Sequence, residues 1–238
     1  MTKILRNLYR FVVEKMPSLE RTARRVYERK FVDTISNNIY GGKNVIRHDG
    51  SILTSVTFDI KGEGNNIVIE PGCILCGVVF YIRGNNHTIT IGRECRFNRG
   101  GSLWFEDNNC SLIIGKRCTF EDVHIAVTEP GSRVFIGADC MFAYDIDVRT
   151  GDSHSIMSTE TKKRINYAQD VLIGNHVWIA AHSILLKGVY ISDHSVVATG
   201  SVVSKQFKKE GCLIAGNPAR IVKEQITWSR NRTYETNK

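Results

Sequence analysis

His154 is the residue of this sequence best suited to acid–base chemistry. It lies in the segment Asp152-Ser-His154, which places a carboxylate two residues before the imidazole. A neutral imidazole, whose unperturbed pKa is near 6.5, can accept a proton from a hydroxyl group at pH 7. Asp152 could orient that ring or stabilise its protonated form. Most histidines are structural, and we single out His154 because it lies in the one long insertion of a repetitive sequence.

Polar and aromatic residues around His154 complete this set. Arg149 precedes it, and Arg164 and Asn166 follow within the same insertion. We predict that these three side chains contact a substrate. Trp178 comes next, at the end of a repeat, where an indole would point outward and offer its N–H as a donor. The alternative for Trp178 is packing against another subunit.

A repeat pattern must position these residues. Five segments begin with an aliphatic residue, usually followed by Gly, and have a small apolar residue four positions later; they start at Ile69, Ile91, Ile114, Ile136 and Ile173. From there the period tightens to six, with aliphatic residues at Ile173, Ile179, Leu185, Ile191, Val197 and Val203. No α-helix has this period. The pattern predicts short strands and tight turns in coils that bury their aliphatic residues by stacking.

The repeats and the insertion together resemble the hexapeptide-repeat acyltransferases. The Asp152–Ile156 element, the Arg164-Ile-Asn166 element and the repeat ending in Trp178-Ile179 resemble the polysaccharide and sialic acid O-acetyltransferase branch. The resemblance implies an all-β fold, a left-handed parallel β-helix of triangular section, and the spacing of apolar residues near the N-terminus adds a short α-helical segment. It also implies transfer of an acetyl group from acetyl-CoA to a sugar hydroxyl of a bacterial polysaccharide or its precursor, with His154 as general base. A homotrimer with active sites between neighbouring prisms follows from the same resemblance.

Residues for coenzyme A are expected in and after the last repeats. Small side chains there would admit the narrow pantetheine arm, and cations would meet the phosphates. With Trp178, the predicted set comprises Ala180, Ala181, Lys187, Ala198, Thr199, Lys205, Arg220 and Lys223. The segment Gly211–Lys223 resembles the closing strand and turn of the family.

We divide the chain into three regions. Residues 1–45 form a helical cap, 46–210 the β-helix domain with a catalytic loop at 145–170, and 211–238 a closing strand with a basic tail. Apolar residues at helical spacing, interrupted at Pro17, indicate two amphipathic helices with basic outer faces. These helices either cap the first coil or dock on an anionic membrane or another subunit. Basic residues towards the end suit an anionic acceptor or are simply solvated: Lys208, Lys209, Arg230 and Arg232.

Composition excludes several classes of protein. The 238 residues carry a net charge of +8, and seven cysteines, an odd number, argue against a disulfide framework. Apolar runs are too short for a membrane span, and the N-terminus lacks a secretory signal, so we expect a cytoplasmic protein. Four cysteines share the last position of their repeats: Cys73, Cys95, Cys118 and Cys140. Strands stack about 4.8 Å apart, too far for four sulfurs to surround one ion, so we interpret them as small buried side chains.

Three other functions compete with O-acetyl transfer. A zinc enzyme of the γ-carbonic anhydrase type would use three histidines, but the hexad spacing stacks His176 on His194 and places His182 on another face, so we predict no metal. A basic β-solenoid scaffold would explain the charge but not the insertion, and no nucleic-acid-binding motif is present. An N-acetyltransferase acting on an amino sugar or another small acceptor would use the same fold.

Overall fold

The computed structural model describes residues 34–234, which form a left-handed parallel β-helix of about eight coils. Within this range there is no α-helix. Three sheets form the faces of a triangular prism. Sheet A contains β1 (Ile35–Tyr40), β4 (Val56–Lys61), β7 (Val78–Arg83), β10 (Gly101–Phe105), β13 (Val123–Val127), β16 (Ile146–Arg149), β19 (Ile184–Leu185) and β22 (Val202–Val203).

The chain passes from sheet A to sheet B and then to sheet C in each coil, except that the last coil has only the bridge of Phe207 to Ile191 in place of a sheet B strand. Sheet B contains β2 (Val45–Arg47), β5 (Asn66–Ile69), β8 (Thr88–Ile91), β11 (Ser111–Ile114), β14 (Arg133–Ile136), β17 (Val171–Ile173) and β20 (Tyr190–Ile191). Sheet C contains β3 (Ile52–Thr54), β6 (Ile74–Cys76), β9 (Arg96–Phe97), β12 (Thr119–Phe120), β15 (Met141–Phe142), β18 (Trp178–Ile179), β21 (Val196–Val197), β23 (Leu213–Gly216) and β24 (Ala219–Lys223). Only the closing pair β23 and β24 is antiparallel among the strand pairs of residues 34–234.

The repeat arithmetic correctly predicted which residues stack. Ile114 lies in register with Ile91 on one side and Ile136 on the other, and Ile136 with Ile173. These side chains point into the prism and are almost completely buried. Phenylalanines of successive coils also stack in the core. The ring centroids of Phe97 and Phe120, for example, lie 4.4 Å apart.

The four repeat cysteines form one fully buried column inside the prism. Each thiol donates to a glycine carbonyl of the next coil, as Cys73 Sγ does to Gly92 O at 3.2 Å and Cys118 Sγ to Gly137 O at 3.1 Å. Burial and the neighbouring Cys118 raise the pKa of Cys140 well above its ordinary value. The column is therefore held by packing and by these hydrogen bonds, and none of the seven cysteines forms a disulfide bond.

The histidines of the last repeats occupy prism edges in the left-handed backbone conformation. His176 and His194 lie between sheets B and C with ring centroids 5.4 Å apart, whereas His182 lies between sheets C and A. This is the separation predicted from the hexad spacing. Across residues 34–234, no three His, Cys, Asp or Glu side chains converge as they would around a metal ion.

The N-terminal boundary differs from the predicted one. Strand β1 begins the first coil at Ile35, inside the segment assigned to a helical cap. Its side chains are mostly exposed because it is the edge strand of sheet A, so the hexad pattern is weak there. The two predicted helices, and the membrane contact proposed for them, lie outside the described residues. No helix in the described part of the chain is long and apolar enough to cross a membrane.

Candidate active site

The insertion containing His154 forms a long loop on one edge of the prism. It leaves sheet A after β16, returns to sheet B at β17, and so occupies the edge between these sheets, which we call the A–B edge. The loop spans residues 150–170, shorter at its start than the predicted 145–170 because Ile146–Arg149 form a strand. Neighbouring coils contribute Glu129 below it and Lys187 above it to the same edge.

Asn166 fixes the loop from within. Its Nδ2 donates to His154 O at 2.7 Å and to Asp152 Oδ2 at 2.8 Å, and its Oδ1 accepts from Ile156 N at 2.7 Å. Only 7% of Asn166 is exposed. These bonds occupy the amide and hold the loop backbone on both sides of His154, and the substrate contact of Asn166 stays a prediction.

Arg164 is held in the same network. Its Nη1 lies 3.0 Å from Glu129 Oε2, its Nη2 pairs with the other oxygen of Glu129, and its Nε donates to Asn166 Oδ1 at 3.1 Å. The hydrogen bonds to Glu129 raise the pKa of Arg164. The guanidinium of Arg164 therefore ties the loop to the preceding coil, and its substrate contact stays a prediction.

Asp152 and Lys187 tie the loop to the following coil. Lys187 Nζ forms an ion pair with Asp152 Oδ2 and donates to Asn166 O at 3.1 Å. Partial burial opposes ionisation of Asp152, but hydrogen bonds from Lys187 and Asn166 outweigh it and lower the pKa of the carboxyl group. The ammonium group of Lys187 is thus paired within the chain, and its assignment to coenzyme A stays a prediction.

His154 is exposed at the outer surface of this loop. Its backbone N–H donates to Asp152 O at 2.7 Å, and Ser153 between them has a φ of 62°. Within residues 34–234, the imidazole makes no hydrogen bond to the Asp152 carboxylate, contrary to the predicted ring contact. The left-handed turn at Ser153 breaks the extended geometry that would place both side chains on one side.

Trp178 lies on a different face of the same prism. It begins β18 on sheet C, in register with Met141 and Val196, and its half-buried side chain faces outward. Strand β17 of sheet B separates it from the loop. His154 and Trp178 therefore do not meet within one prism.

The other residues predicted for coenzyme A fall into three places. Ala180, Ala181, Ala198 and Thr199 lie where sheet C passes to sheet A, Lys205 lies on the A–B edge, and Arg220 and Lys223 lie on β24. Of these, Ala180 is nearly buried and the three cations are exposed. A single chain does not gather them into one groove.

The outward side of sheet B is apolar. Its outward column runs through consecutive strands as Val68, Thr90, Ile113, Phe135, Leu172 and Tyr190, and we call it the sheet B stripe. Ile113 is 36% and Phe135 39% exposed. Beside the loop, Leu172 and Tyr190 line an open cleft of about 610 Å³ together with Gln169 and Lys208.

Comparison with known proteins agrees with this architecture. A polysialic acid O-acetyltransferase of Neisseria meningitidis is 36% identical over 129 residues, covering 54% of this chain and 60% of that protein. One of Escherichia coli O1:K1 is 36% identical over 124 residues, covering 52% of this chain and 40% of that protein. No family model matches the sequence.

Two solved structures match most of the chain. The polySia-specific acetyltransferase NeuO superposes with a TM-score of 0.75 at 31% identity, covering 85% of this chain and 92% of that one. The polysialic acid O-acetyltransferase OatWY gives a TM-score of 0.68 at 31% identity, covering 86% of this chain and 95% of that one. The chain belongs to the hexapeptide-repeat acyltransferases. It falls in their polysialic acid O-acetyltransferase-like branch.

Sequence reasoning missed the C-terminal strap of this hexapeptide-repeat acyltransferase, which we define as residues 225–231. Trp228 stacks on His176 with ring centroids 4.3 Å apart, and its Nε1 donates to His176 O at 2.7 Å. Arg230 pairs with Asp139 at 3.3 Å and donates to Thr119 Oγ1 at 2.8 Å. Arg230 is therefore not part of a free basic tail. The sequence signal for the strap was Trp228, a large aromatic residue in an otherwise polar segment.

An acid–histidine pair on the edge between sheets C and A was also missed. His182 Nδ1 lies 2.6 Å from Asp145 Oδ2, and the ring meets Tyr144 edge-on with centroids 4.8 Å apart. Both residues occupy the edge between sheets C and A in successive coils. Their separation of 37 residues equals the spacing between Ile136 and Ile173, so the repeat arithmetic contained this pairing.

Proposed function

We propose that the protein transfers an acetyl group from acetyl-CoA to a hydroxyl group of a bacterial polysaccharide or its precursor. The observation that carries this proposal is the exposed His154 on a loop braced to both neighbouring coils, in a chain of this family. Polysialic acid in the names of the relatives makes an acidic glycan the preferred acceptor class.

The proposed reaction assigns one proton transfer to His154. The imidazole takes the proton of the sugar hydroxyl while the oxygen attacks the thioester carbonyl carbon. The tetrahedral intermediate collapses, the carbon–sulfur bond breaks, and the imidazolium returns the proton to the coenzyme A thiolate. A hydrogen-bond donor must stabilise the intermediate's negative oxygen.

Asn166, Asp152, Lys187 and Arg164 act as positioning residues in this proposal. They fix the backbone on both sides of His154, and they connect the loop to the coils before and after it. A base held at a fixed edge keeps its alignment with the attacking hydroxyl, and alignment contributes strongly to rate.

We further propose a homotrimer. In this assembly the exposed apolar side chains of the sheet B stripe would be buried between copies, and the A–B edge that carries His154 would meet an edge of a second subunit. Three prisms with their stripes facing a common axis would bring the A–B edge of one subunit to the edge between sheets B and C of the next. His154 would then approach Trp178 of the partner subunit. The apolar side chains of the stripe support burial between copies.

Coenzyme A would lie on the coils that follow the loop, with its thioester in the resulting groove and its pantetheine arm running across sheet C to the small residues at the edge between sheets C and A. Ala198 and Thr199 would leave room for the pantetheine arm, with Trp178, Ala180 and Ala181 beside it. Lys205, Arg220 and Lys223 would meet the phosphates. The seven cysteines form no disulfide bond, which fits the reducing cytoplasm, where we place the reaction.

The test is thiol release from acetyl-CoA in the presence of acidic glycans, neutral glycans and amino sugars. Wild type should respond to a glycan hydroxyl, and His154→Ala should lose about 10²–10⁴-fold of the rate. His48→Ala is the matched control, because it removes a partly buried histidine from the first coil. This variant should release thiol at the wild-type rate. Stimulation by amino sugars alone would identify an N-acetyltransferase instead. No release with any acceptor, together with no acetyl-CoA binding, would refute the proposal.

A further inference from the structure

The outward side of sheet A carries a stacked ladder that the proposed chemistry does not use. Tyr81 and Trp104 lie in register on β7 and β10, and their rings stack with centroids 3.8 Å apart at an interplanar angle of 21°. The guanidinium of Arg83, paired with Asp59, lies over the other side of Tyr81 at 3.8 Å. The ladder therefore presents the second face of Trp104 to the next coil.

One layer is missing directly after Trp104. The next residue in register is Ala126 on β13, and the one after it is Arg149 on β16. Strands lie about 4.8 Å apart, so Trp104 and Arg149 are separated by roughly 10 Å, twice the distance between stacked layers. The methyl group of Ala126 forms the floor of this gap, which we call the Ala126 slot.

Polar groups border the slot. His124 lies beside Trp104 with ring centroids 6.2 Å apart and an angle of 59°, so it flanks the indole without lying flat on it. Burial lowers the pKa of His124, which keeps the ring neutral and able to donate or accept at pH 7. Arg149 Nε lies 3.1 Å from Asp147 Oδ1, and its Nη1 makes no hydrogen bond within residues 34–234.

We propose that the Ala126 slot binds one pyranose ring of the glycan acceptor, with its C–H face on Trp104 and its oxygens on Arg149 and His124. A sugar ring is about one layer thick, and it combines an apolar face with a polar rim, as the slot does. Arg149 directly precedes the loop that carries His154, so a glycan bound in the slot would extend towards the site of acetyl transfer. This inference rests on the proposed function and adds a subsite to it.

The position of the slot favours the acceptor over the adenine ring of coenzyme A. The slot lies on coils that precede the loop, whereas the small residues and free cations suited to the cofactor lie on coils that follow it. Donor and acceptor would therefore approach His154 from opposite ends of the prism.

Binding without acetyl-CoA tests the slot separately from catalysis. Wild type, Ala126→Phe, Trp104→Ala and Thr57→Phe are titrated calorimetrically with sialic acid oligomers of increasing length and with a neutral glucan. Ala126→Phe fills the slot and Trp104→Ala removes its wall, so each should weaken oligomer binding about tenfold. Thr57→Phe adds the same ring to the same side of sheet A outside the slot and should bind as wild type does.

The outcomes separate the two proposals. Loss of oligomer binding in both slot variants supports the slot, even where no acetyl transfer is found and the proposed function fails. Unchanged binding in both variants, or no binding of any oligomer to wild type, overturns it. Ala126→Phe also covers the case in which Trp104→Ala does not fold. If Ala126→Phe still binds sialic acid oligomers but the number of its subunits changes, the slot is a contact between subunits, and the proposal is overturned as well.

Discussion

Asn166 determines more of the loop's geometry than His154 does. One amide holds the backbone of residues 154 and 156 and the carboxylate of residue 152 together. Such a group needs two donors and one acceptor in a fixed plane, which only Asn and Gln supply. His154, in contrast, is exposed, so its orientation depends on the loop backbone.

Replacing Asn166 should therefore impair turnover without removing a reacting group. In Asn166→Ala we expect kcat to fall about 10²-fold, because the base loses its alignment. The KM for acetyl-CoA should stay near that of wild type, since the proposed cofactor groove lies on later coils. Steady-state kinetics on the acceptor found in the thiol-release assay provide the measurement.

Asn98→Ala is the matched control for that substitution. Asn98 Nδ2 donates to Glu121 Oε1 at 2.7 Å on another edge, so the variant loses a comparable side-chain bond away from the loop. Equal losses of kcat in both variants would show a general effect on folding and contradict the positioning role of Asn166.

At the scale of elements, the loop is a bridge between coils. Glu129 and Arg164 connect it to the coil before, and Asp152 and Lys187 connect it to the coil after. These partners are 35 residues apart in both pairs, a separation set jointly by coil length and insertion length. The ion pair between Asp152 and Lys187 stabilises the folded protein only when the carboxyl group of Asp152 is ionised.

The contribution of this pair to stability should depend on pH in a defined window. Asp152 has a lowered pKa in the folded protein, so its contribution is complete above the unfolded value near 3.9 and disappears as the pH falls through the folded value. Lys187→Met should therefore be less stable than wild type by a constant amount from pH 8 to about pH 4, and the difference should shrink only below that. Urea unfolding across this range measures it.

Lys205→Met serves as the control for Lys187→Met, because Lys205 is an exposed lysine on the same edge. It should unfold as wild type does at every pH. A stability difference for Lys187→Met that persisted unchanged below the folded pKa would contradict the ion-pair account.

The sequence predicted the columns of the prism better than the network on its edge. Ile91, Ile114 and Ile136 were aligned correctly because each core position recurs with the coil and admits only an aliphatic side chain. The partners of Asp152 and Arg164 were not predicted. The insertion interrupts the repeat period, so sequence spacing does not indicate which of the nearby charged residues forms each ion pair. Trp228 was missed for the same reason, since the strap has no repeat.

At the scale of the whole molecule, the proposed homotrimer depends on the sheet B stripe as the contact between copies. A charge at its centre should separate the subunits, because burial of an unpaired carboxylate between apolar faces is unfavourable. We expect Phe135→Asp to convert the trimer to monomer and to abolish transfer, since the proposed site needs Trp178 of the partner subunit. Light scattering and the thiol-release assay measure both effects.

Val79→Asp is the control for the stripe. Val79 is an outward valine of sheet A with 36% exposure, similar to that of Phe135, but it lies away from the stripe. The variant should remain trimeric and active. A monomeric wild type, or a fully active Phe135→Asp monomer, would contradict the shared site.

The strap changes how a stack of coils comes apart. In a solenoid each coil contacts only its neighbours, so coils can fray one at a time from an open end. Here the segment that leaves the last coil returns to Thr119, Asp139 and His176, which belong to three successive earlier coils. Fraying from the C-terminal end must therefore first release contacts in the middle of the stack, so we expect the coils from Thr119 onward to unfold together instead of one at a time.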